Sequence, residues 1–172
     1  PLKEWIAGYM GRLGAPCGPQ NILITNGSQQ ALDFISRLLV DKGDRVTVER
    51  PTFIGALRAF DAYEASYANL PEQLTDPAAV RAALKGAKFA YLGPEFRNPT
   101  GTCLTLAERH TLLEAAAAEG TPLVEDGCYE TLRFEGTNLP ALLALELQRA
   151  GGIEKSNVLY RSEEHTSELQ SH

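Results

Sequence analysis

Short apolar runs alternate along the chain with stretches in which apolar residues recur at helical spacing. Runs of strand length stand at residues 22–25, 45–49, 65–70, 88–92, 122–126 and 156–160. Between them the apolar positions follow a helical period, as in the stripe Leu32, Ile35 and Leu39. Strands and helices in this alternation predict parallel βαβ units. The fold class is therefore predicted as α/β, with a mostly parallel sheet flanked by helices.

Capping signals mark the ends of several predicted helices. Asp76 followed by Pro77 is typical of a helix start, because Asp caps free amide groups and proline fits the first turn. Thr105 and Glu108 have the spacing of a capping box, and Gly120 is expected to end the helix that follows.

The loop after the run at 88–92 has the most constrained composition. It contains Gly93, Pro94, Pro99 and Gly101, which excludes both a helix and a central strand. A rigid loop at the carboxyl end of a strand is the usual place for a ligand in an open α/β sheet. Asn98 would be held in this loop, although Asn-Pro is equally typical of an ordinary turn.

Three more polar loops follow predicted strands, and a parallel sheet would bring all four to one crevice. Ser28 and Gln29 open a helix, where free amide groups and the helix dipole favour an anion, although Ser28 is also typical of a simple cap. Phe53 could stack on a planar ring or pack in the core. Asp126 ends an apolar strand, where it could hold a protonated ring nitrogen or cap a turn. Tyr129 could reach the same ligand or simply pack.

Taken together, the chemistry of these side chains matches one ligand. They combine an anion site, a ring-stacking aromatic, a donor to a ring hydroxyl and an acid for a ring nitrogen. That combination predicts pyridoxal 5′-phosphate as the cofactor.

The composition excludes several other classes. A chain of 172 residues is long enough for one domain with a core, and its formal net charge of -6 argues against nucleic acid as a partner of this segment. No apolar run has membrane-spanning length, so no membrane partner is expected. Cys17, Cys103 and Cys128 lie far apart without metal-ligand spacing, which predicts neither a disulfide framework nor a metal site. A cytoplasmic location is expected.

Four stretches of the chain resemble the class I and II aminotransferases, the fold-type I pyridoxal-phosphate enzymes. The stretches are residues 24–33, 49–53, 93–96 with 98–101, and 124–126. Residues 1–160 are similar to the middle of the large domain of these enzymes. The nearest branch holds the 2-aminoadipate (kynurenine-type) aminotransferases and the aminotransferase-like half of MocR regulators. The resemblance implies that residues 1–160 are part of the cofactor-binding large domain.

The resemblance also implies a role for each candidate residue. Ser28 and Gln29 would bind the cofactor phosphate, and Phe53 occupies the position of the ring-stacking aromatic, which is usually Tyr. Asn98 would bond the ring 3′-oxygen, helped by the Tyr129 hydroxyl.

Asp126 would pair with the pyridine nitrogen and keep the ring protonated, so that the ring can act as an electron sink. Two departures leave the substrate preference open. Arg97 stands where this branch usually has Gln, and residues 127–128 replace the commoner pair before the Tyr.

The end of the chain departs further from the family. After residues 158–160 the family continues into a Ser-rich loop with the Schiff-base lysine, whereas residues 161–172 are polar and contain no lysine. Their back-translation resembles a common sequencing adapter, so 161–172 is expected to be a non-native or disordered tail. No catalytic residue is assigned, because the Schiff-base lysine would lie beyond the fragment. The polypeptide is accordingly expected to lack transaminase activity.

The parent protein is expected to be an aminotransferase that transfers an amino group between an amino acid and a 2-oxo acid, working as a homodimer. One alternative is a MocR-type transcriptional regulator with an aminotransferase-like effector domain. The other is a related pyridoxal-phosphate lyase or decarboxylase on the same scaffold.

Overall fold

One sheet of parallel strands runs through the part of the chain that the structure describes. The computed structural model describes residues 1–162, and residues 163–172 of the expected tail lie outside the described residues. The strands are β1 (Arg45–Val48), β2 (Ser66–Asn69), β3 (Phe89–Leu92), β4 (Leu123–Asp126) and β5 (Val158–Arg161). Their order across the sheet is β2-β1-β3-β4-β5, and the neighbouring pairs are parallel. The predicted α/β fold with a parallel sheet is confirmed.

Helices connect the strands and flank the sheet. They are α1 (Leu2–Arg12), α2 (Ser28–Leu39), α3 (Ile54–Asp61), α4 (Pro77–Leu84), α5 (Leu106–Glu119) and α6 (Leu142–Ala150). The predicted caps are present: Asp76 accepts a hydrogen bond from the Ala78 amide at 2.9 Å. Thr105 and Glu108 form the reciprocal capping box, and Gly120 ends α5 in the left-handed conformation with φ 66°.

Two apolar clusters cover the two faces of the sheet. Side chains alternate along β3, so Phe89 and Tyr91 face one side while Ala90 and Leu92 face the other. The first face packs against α2 and α3, where the Phe60 ring lies edge-on to both aromatic rings with centroids 5.3 and 5.6 Å apart. The second face packs against α1, α4, α5 and α6. Burial on both faces explains why these strands are continuous apolar runs in the sequence.

The predicted strand at residues 22–25 is wrong. The backbone at Ile22 is extended, with φ -112° and ψ 127°, but the segment belongs to none of the five strands. Leu23 is 70% exposed and Ile24 is 47% exposed. An apolar run becomes a strand only where a neighbour bonds its backbone, and this run has none among residues 1–162.

Strand β5 extends to Arg161, the first residue of the expected tail. In the register of β4 and β5, Arg161 lies opposite Asp126. The pairing brings a guanidinium to the same edge of the sheet as the predicted crevice.

Candidate cofactor site

The carboxyl ends of β1, β3 and β4 open into one pocket. Its lining includes four of the candidate residues, Phe53, Asn98, Asp126 and Tyr129. They meet because the carboxyl ends of parallel strands share one edge of the sheet, and each residue ends a strand or lies in the loop that follows one.

Asp126 is the last residue of β4 and is buried. Its Oδ2 accepts a hydrogen bond from the Tyr91 hydroxyl and another from Arg161 Nη2, which lies 2.6 Å away. The Cys128 amide donates to Oδ1 at 3.4 Å. A buried carboxylate that holds a cationic N–H donor at this distance forms a charge-assisted pair. This position of the pocket therefore favours a positively charged nitrogen.

The groups around Asp126 keep their protons. Burial and the negative charge of Asp126 both raise the pKa of Tyr91 above its ordinary value, so the phenol remains a donor. Burial alone lowers the pKa of Arg161, but the Asp126 carboxylate together with Cys128 and Tyr91 outweighs burial and raises the pKa overall. Asp126 therefore faces one neutral donor and one cation.

Asn98 and Tyr129 meet on the exposed side of the pocket. Asn98 Nδ2 donates to the Tyr129 hydroxyl oxygen at 3.4 Å. The loop is held by the Arg97 amide, which donates to the Thr102 carbonyl at 2.9 Å, and by the Gly101 amide, which donates to the Arg97 carbonyl at 2.6 Å. The Asn98 amide has a second N–H and the phenol has its own proton, so both can also donate to a ligand oxygen.

Phe53 lies half-buried between the pocket and the core. Its ring lines the pocket and also packs against the cluster that contains Phe60. Gly55 makes room for the ring, because a Cβ at residue 55 would lie 2.3 Å from Phe53 Cζ. The side chain thus belongs to the core and presents part of its surface to the pocket.

Ser28 and Gln29 are the first residues of α2 and do not belong to the described lining of this pocket. Gln29 Nε2 donates to the Gly55 carbonyl at 3.0 Å, which ties the start of α2 to the segment that carries Phe53. The helix start therefore lies beside the Phe53 side of the pocket.

Sequence reasoning missed an ion pair in the pocket. Arg97 Nε lies 2.6 Å from Glu49 Oε1, and the Gly93 amide donates to Glu49 Oε2 at 3.1 Å. Burial and, to a smaller extent, the charge of Asp126 raise the pKa of Glu49 to about 7 against the opposing effects of Arg97 and the Gly93 amide. The sequence does contain a signal for Glu49, because this residue, like Asp126, is an acid at the end of an apolar run.

A second cluster that sequence reasoning missed joins two of the loops. Glu95 is buried between Arg109 of α5 and Arg133 of the loop after β4, and each guanidinium bonds one carboxylate oxygen. Arg109 also donates to the Pro140 carbonyl at 2.8 Å. No local pattern could predict this cluster, because Glu95 is 14 and 38 residues away from its two partners.

Residues 1–162 contain no group of three or more His, Cys, Asp or Glu side chains that could hold a metal ion. None of the helices in this part of the chain is long and apolar enough to cross a membrane.

Comparisons with known proteins show the family to which this chain is similar. A family model described as "Aminotransferase class I and II" matches residues 1–160. The 2-aminoadipate transaminase of Thermus thermophilus is 36% identical over 156 residues, which is 88% of this chain and 38% of the relative. The probable rhizopine catabolism regulatory protein MocR of Rhizobium meliloti is 30% identical over 146 residues, covering 84% of this chain and 30% of that protein.

A solved structure shows the same architecture. The crystal structure of the α-aminoadipate aminotransferase from Thermus thermophilus, complexed with N-(5′-phosphopyridoxyl)-L-leucine, matches with a TM-score of 0.82 and 34% identity. The match covers 94% of this chain and 40% of that one. The chain thus spans less than half the length of the relatives that it matches.

Proposed function

The chain belongs to the aminotransferase class I and II family, and we propose that it is part of an aminotransferase that transfers an amino group between an amino acid and a 2-oxo acid. The strand-end pocket would hold pyridoxal 5′-phosphate, which supplies an electron sink when bound. One observation carries the proposal. The buried Asp126 carboxylate already holds a cationic N–H donor in a pocket that it shares with Asn98 and Tyr129.

The chemistry of the pocket fits the ring of this cofactor. Asp126 would accept a hydrogen bond from the protonated ring nitrogen in place of the one that it now accepts from the Arg161 guanidinium. Asn98 and Tyr129 would donate to the ring oxygen, and Phe53 would lie against the face of the ring.

The phosphate would lie at the start of α2. Ser28 is the first residue of this helix, and the amide groups of a first helical turn favour an anion together with the helix dipole. The Ser28 hydroxyl and the Gln29 amide add donors. The bond from Gln29 to Gly55 supports this position, because it ties the start of α2 to the segment that carries Phe53.

The comparisons support this assignment. The matched crystal structure contains a phosphopyridoxyl compound of an amino acid, and a relative at 36% identity is a 2-aminoadipate transaminase. Both fit a role in amino-acid metabolism with amino acid and 2-oxo acid substrates.

Binding of pyridoxine 5′-phosphate to the 172-residue chain tests the proposal. This probe has the ring and the phosphate but no aldehyde, so it binds without reacting with a lysine. We expect saturable binding, followed by the intrinsic fluorescence of the ring, and an Asp126→Asn variant that binds roughly tenfold more weakly because a charge-assisted bond is lost.

Asp41→Asn, an exposed acid outside the pocket, is the matched control and should bind as the unaltered chain does. Circular dichroism of both variants confirms that they are folded. Absence of saturable binding, or equal affinities for the two variants, would contradict the proposed cofactor site.

A transcriptional regulator of the MocR type is the second candidate. The observation that favours it is the 30% identity to a MocR protein over 84% of the chain. The same pocket would then bind the cofactor in an effector domain. The gene sequence upstream of residue 1 distinguishes the two candidates, because a regulator would encode a basic helix-turn-helix module there.

Partners and location are inferred from the family and from the surface. We infer that the parent protein is a homodimer in the cytoplasm, without nucleic acid bound to this segment. No disulfide joins Cys17, Cys103 and Cys128 in the described residues, which agrees with a reducing compartment. Sedimentation of the full-length protein measures its oligomeric state.

A further inference from the structure

Two loops carry the groups proposed to bond the ring oxygen. Asn98 lies between β3 and α5, and Tyr129 lies between β4 and α6. Their direct hydrogen bond is long, at 3.4 Å, and both side chains are exposed. A bond of this kind contributes little stability. Another interaction must set the distance between the two loops.

Glu95 makes that connection. It lies three residues before Asn98 and is only 4% exposed. Arg109 and Arg133 approach it from opposite sides, one on each carboxylate oxygen. A carboxylate shared by two guanidinium groups is fixed in both position and orientation.

Arg109 is the partner of Glu95 that does not depend on Arg133. It is fully buried and donates to the carbonyls of Leu104 at 3.3 Å, Pro94 at 3.3 Å and Pro140 at 2.8 Å. These bonds hold both ends of the loop with Asn98 and the end of the loop with Tyr129. Glu95 therefore keeps a buried partner even when Arg133 is replaced.

Arg133 is the partner of Glu95 that lies in the same loop as Tyr129. It follows Tyr129 by four residues, and its side chain is 18% exposed. Its guanidinium lies over the Phe96 ring at 4.9 Å, which adds a cation–π contact to the ion pair with Glu95. Its Nε donates to Asn138 Oδ1 at 2.8 Å within its own loop. Through Arg133, the loop that carries Tyr129 therefore contacts residues 95 and 96, next to Asn98.

We propose that Glu95 and Arg133 are positioning residues that hold the Tyr129 hydroxyl against the Asn98 amide, so that both donate to one ring oxygen of the cofactor. The inference rests on the proposed function, because the ring oxygen belongs to the proposed ligand. Glu95 belongs to the lining of the pocket, but both of its carboxylate oxygens are held by arginines, and Arg133 is not part of the described lining. Both act through Tyr129 and Asn98.

Two probes that differ in a single group test this proposal. The first is pyridoxine 5′-phosphate, and the second is its 3-deoxy analogue, which lacks the ring oxygen. Arg133→Met should weaken binding of the first probe about fivefold, the loss of one ordinary hydrogen bond. The same variant should leave binding of the second probe unchanged, because that probe has no oxygen for the two donors.

A Tyr129→Phe background provides the second readout. If Arg133 acts through the Tyr129 hydroxyl, Arg133→Met should have no further effect on affinity once that hydroxyl is absent. Arg133→Lys keeps a charge for Glu95 and should recover part of the affinity. Arg81→Met, which removes an ion pair with Glu119 between α4 and α5 at 2.8 Å, is the matched control and should affect neither probe.

The outcomes distinguish the positioning role of Arg133 from the cofactor site itself. Equal weakening of both probes by Arg133→Met would assign Arg133 a structural role only, and no weakening at all would show that the contact is not needed. Either result overturns the positioning role while the cofactor site stands. Failure of the unaltered chain to bind either probe would instead overturn the proposed function, and the positioning role with it.

Discussion

Each of three buried acids near the pocket has an arginine as its partner. Asp126 pairs with Arg161, Glu49 with Arg97, and Glu95 with both Arg109 and Arg133. A buried carboxylate is costly unless it is paired and hydrogen-bonded. The pairs therefore explain how several acids can lie close together at one edge of the sheet. At Asp126, the Arg161 guanidinium also occupies the carboxylate that the ring nitrogen of the ligand would need.

Replacing Arg161 should therefore increase affinity for the probe. In Arg161→Leu, the Asp126 carboxylate loses its competing cation, and pyridoxine 5′-phosphate should bind roughly tenfold more tightly, the size of one charge-assisted hydrogen bond. Fluorescence titration measures the dissociation constant. Arg149→Leu removes an ion pair with Glu146 on α6 and is the matched control. An Arg161→Leu affinity no higher than that of the control would show that the guanidinium does not compete with the ring.

One helix takes its cap from another element of the fold. Helix α6 begins at Leu142, and its N-cap residue, Ala141, supplies no side-chain cap. Glu125 of β4 supplies one instead, because its two carboxylate oxygens accept the amides of Leu142 at 2.7 Å and Leu143 at 2.9 Å. The acid lies on the central sheet and the helix packs on its face, so the bond ties the two layers together.

Burial of Glu125 makes stability depend on pH. Burial raises the pKa of Glu125 from an ordinary 4.5 to about 7, against the lowering effect of the two amides. The folded chain thus binds this proton more tightly than the unfolded chain does. The resulting stability is fully present below about pH 4.5 and is lost as the pH rises through 7, up to about 3 kcal/mol.

Urea unfolding from pH 4.5 to pH 8 measures this dependence. Glu125→Gln cannot titrate, so its free energy of unfolding should fall less over that range than that of the unaltered chain. Glu72→Gln, at an exposed position, serves as the control and should keep the original slope. Parallel slopes for all three chains would rule out a raised pKa at Glu125.

At the scale of the whole molecule, β5 forms one edge of the sheet, and no second strand among residues 1–162 pairs with its outer side. Strand β5 is the last in the order of the described sheet, and Leu159 in it is 46% exposed. Exposed apolar edge strands pair with other chains, whereas a lysine on such an edge discourages pairing. The 172-residue chain is therefore expected to self-associate through β5.

Leu159→Lys should reduce this association. Light scattering over a range of concentrations should show less aggregate than the unaltered chain. Gln148→Lys places the same charge on the exposed side of α6 and separates the effect of the edge from that of net charge. Equal scattering by the two variants would mean that β5 is not the surface through which the chains associate.

The chain order of helices and strands was predictable, because it depends on local signals. Apolar runs, the Asp76 cap and the capping box at Thr105 are each contained in a few neighbouring residues. The exception is the run at residues 22–25, whose composition suits a strand but which has no strand to pair with among residues 1–162. Pairing is a property of the sheet and not of the run.

The sequence by itself determined the α/β class, the polar loops after the strands and the acid at the end of β4, because each follows from periodicity or from a residue's place after a strand. Only the tertiary structure decided which charges meet. The pairing of Asp126 with Arg161 spans 35 residues, and that of Glu95 with Arg133 spans 38. Such partners come together through the register of parallel strands and the packing of helices on the sheet, neither of which a local pattern contains.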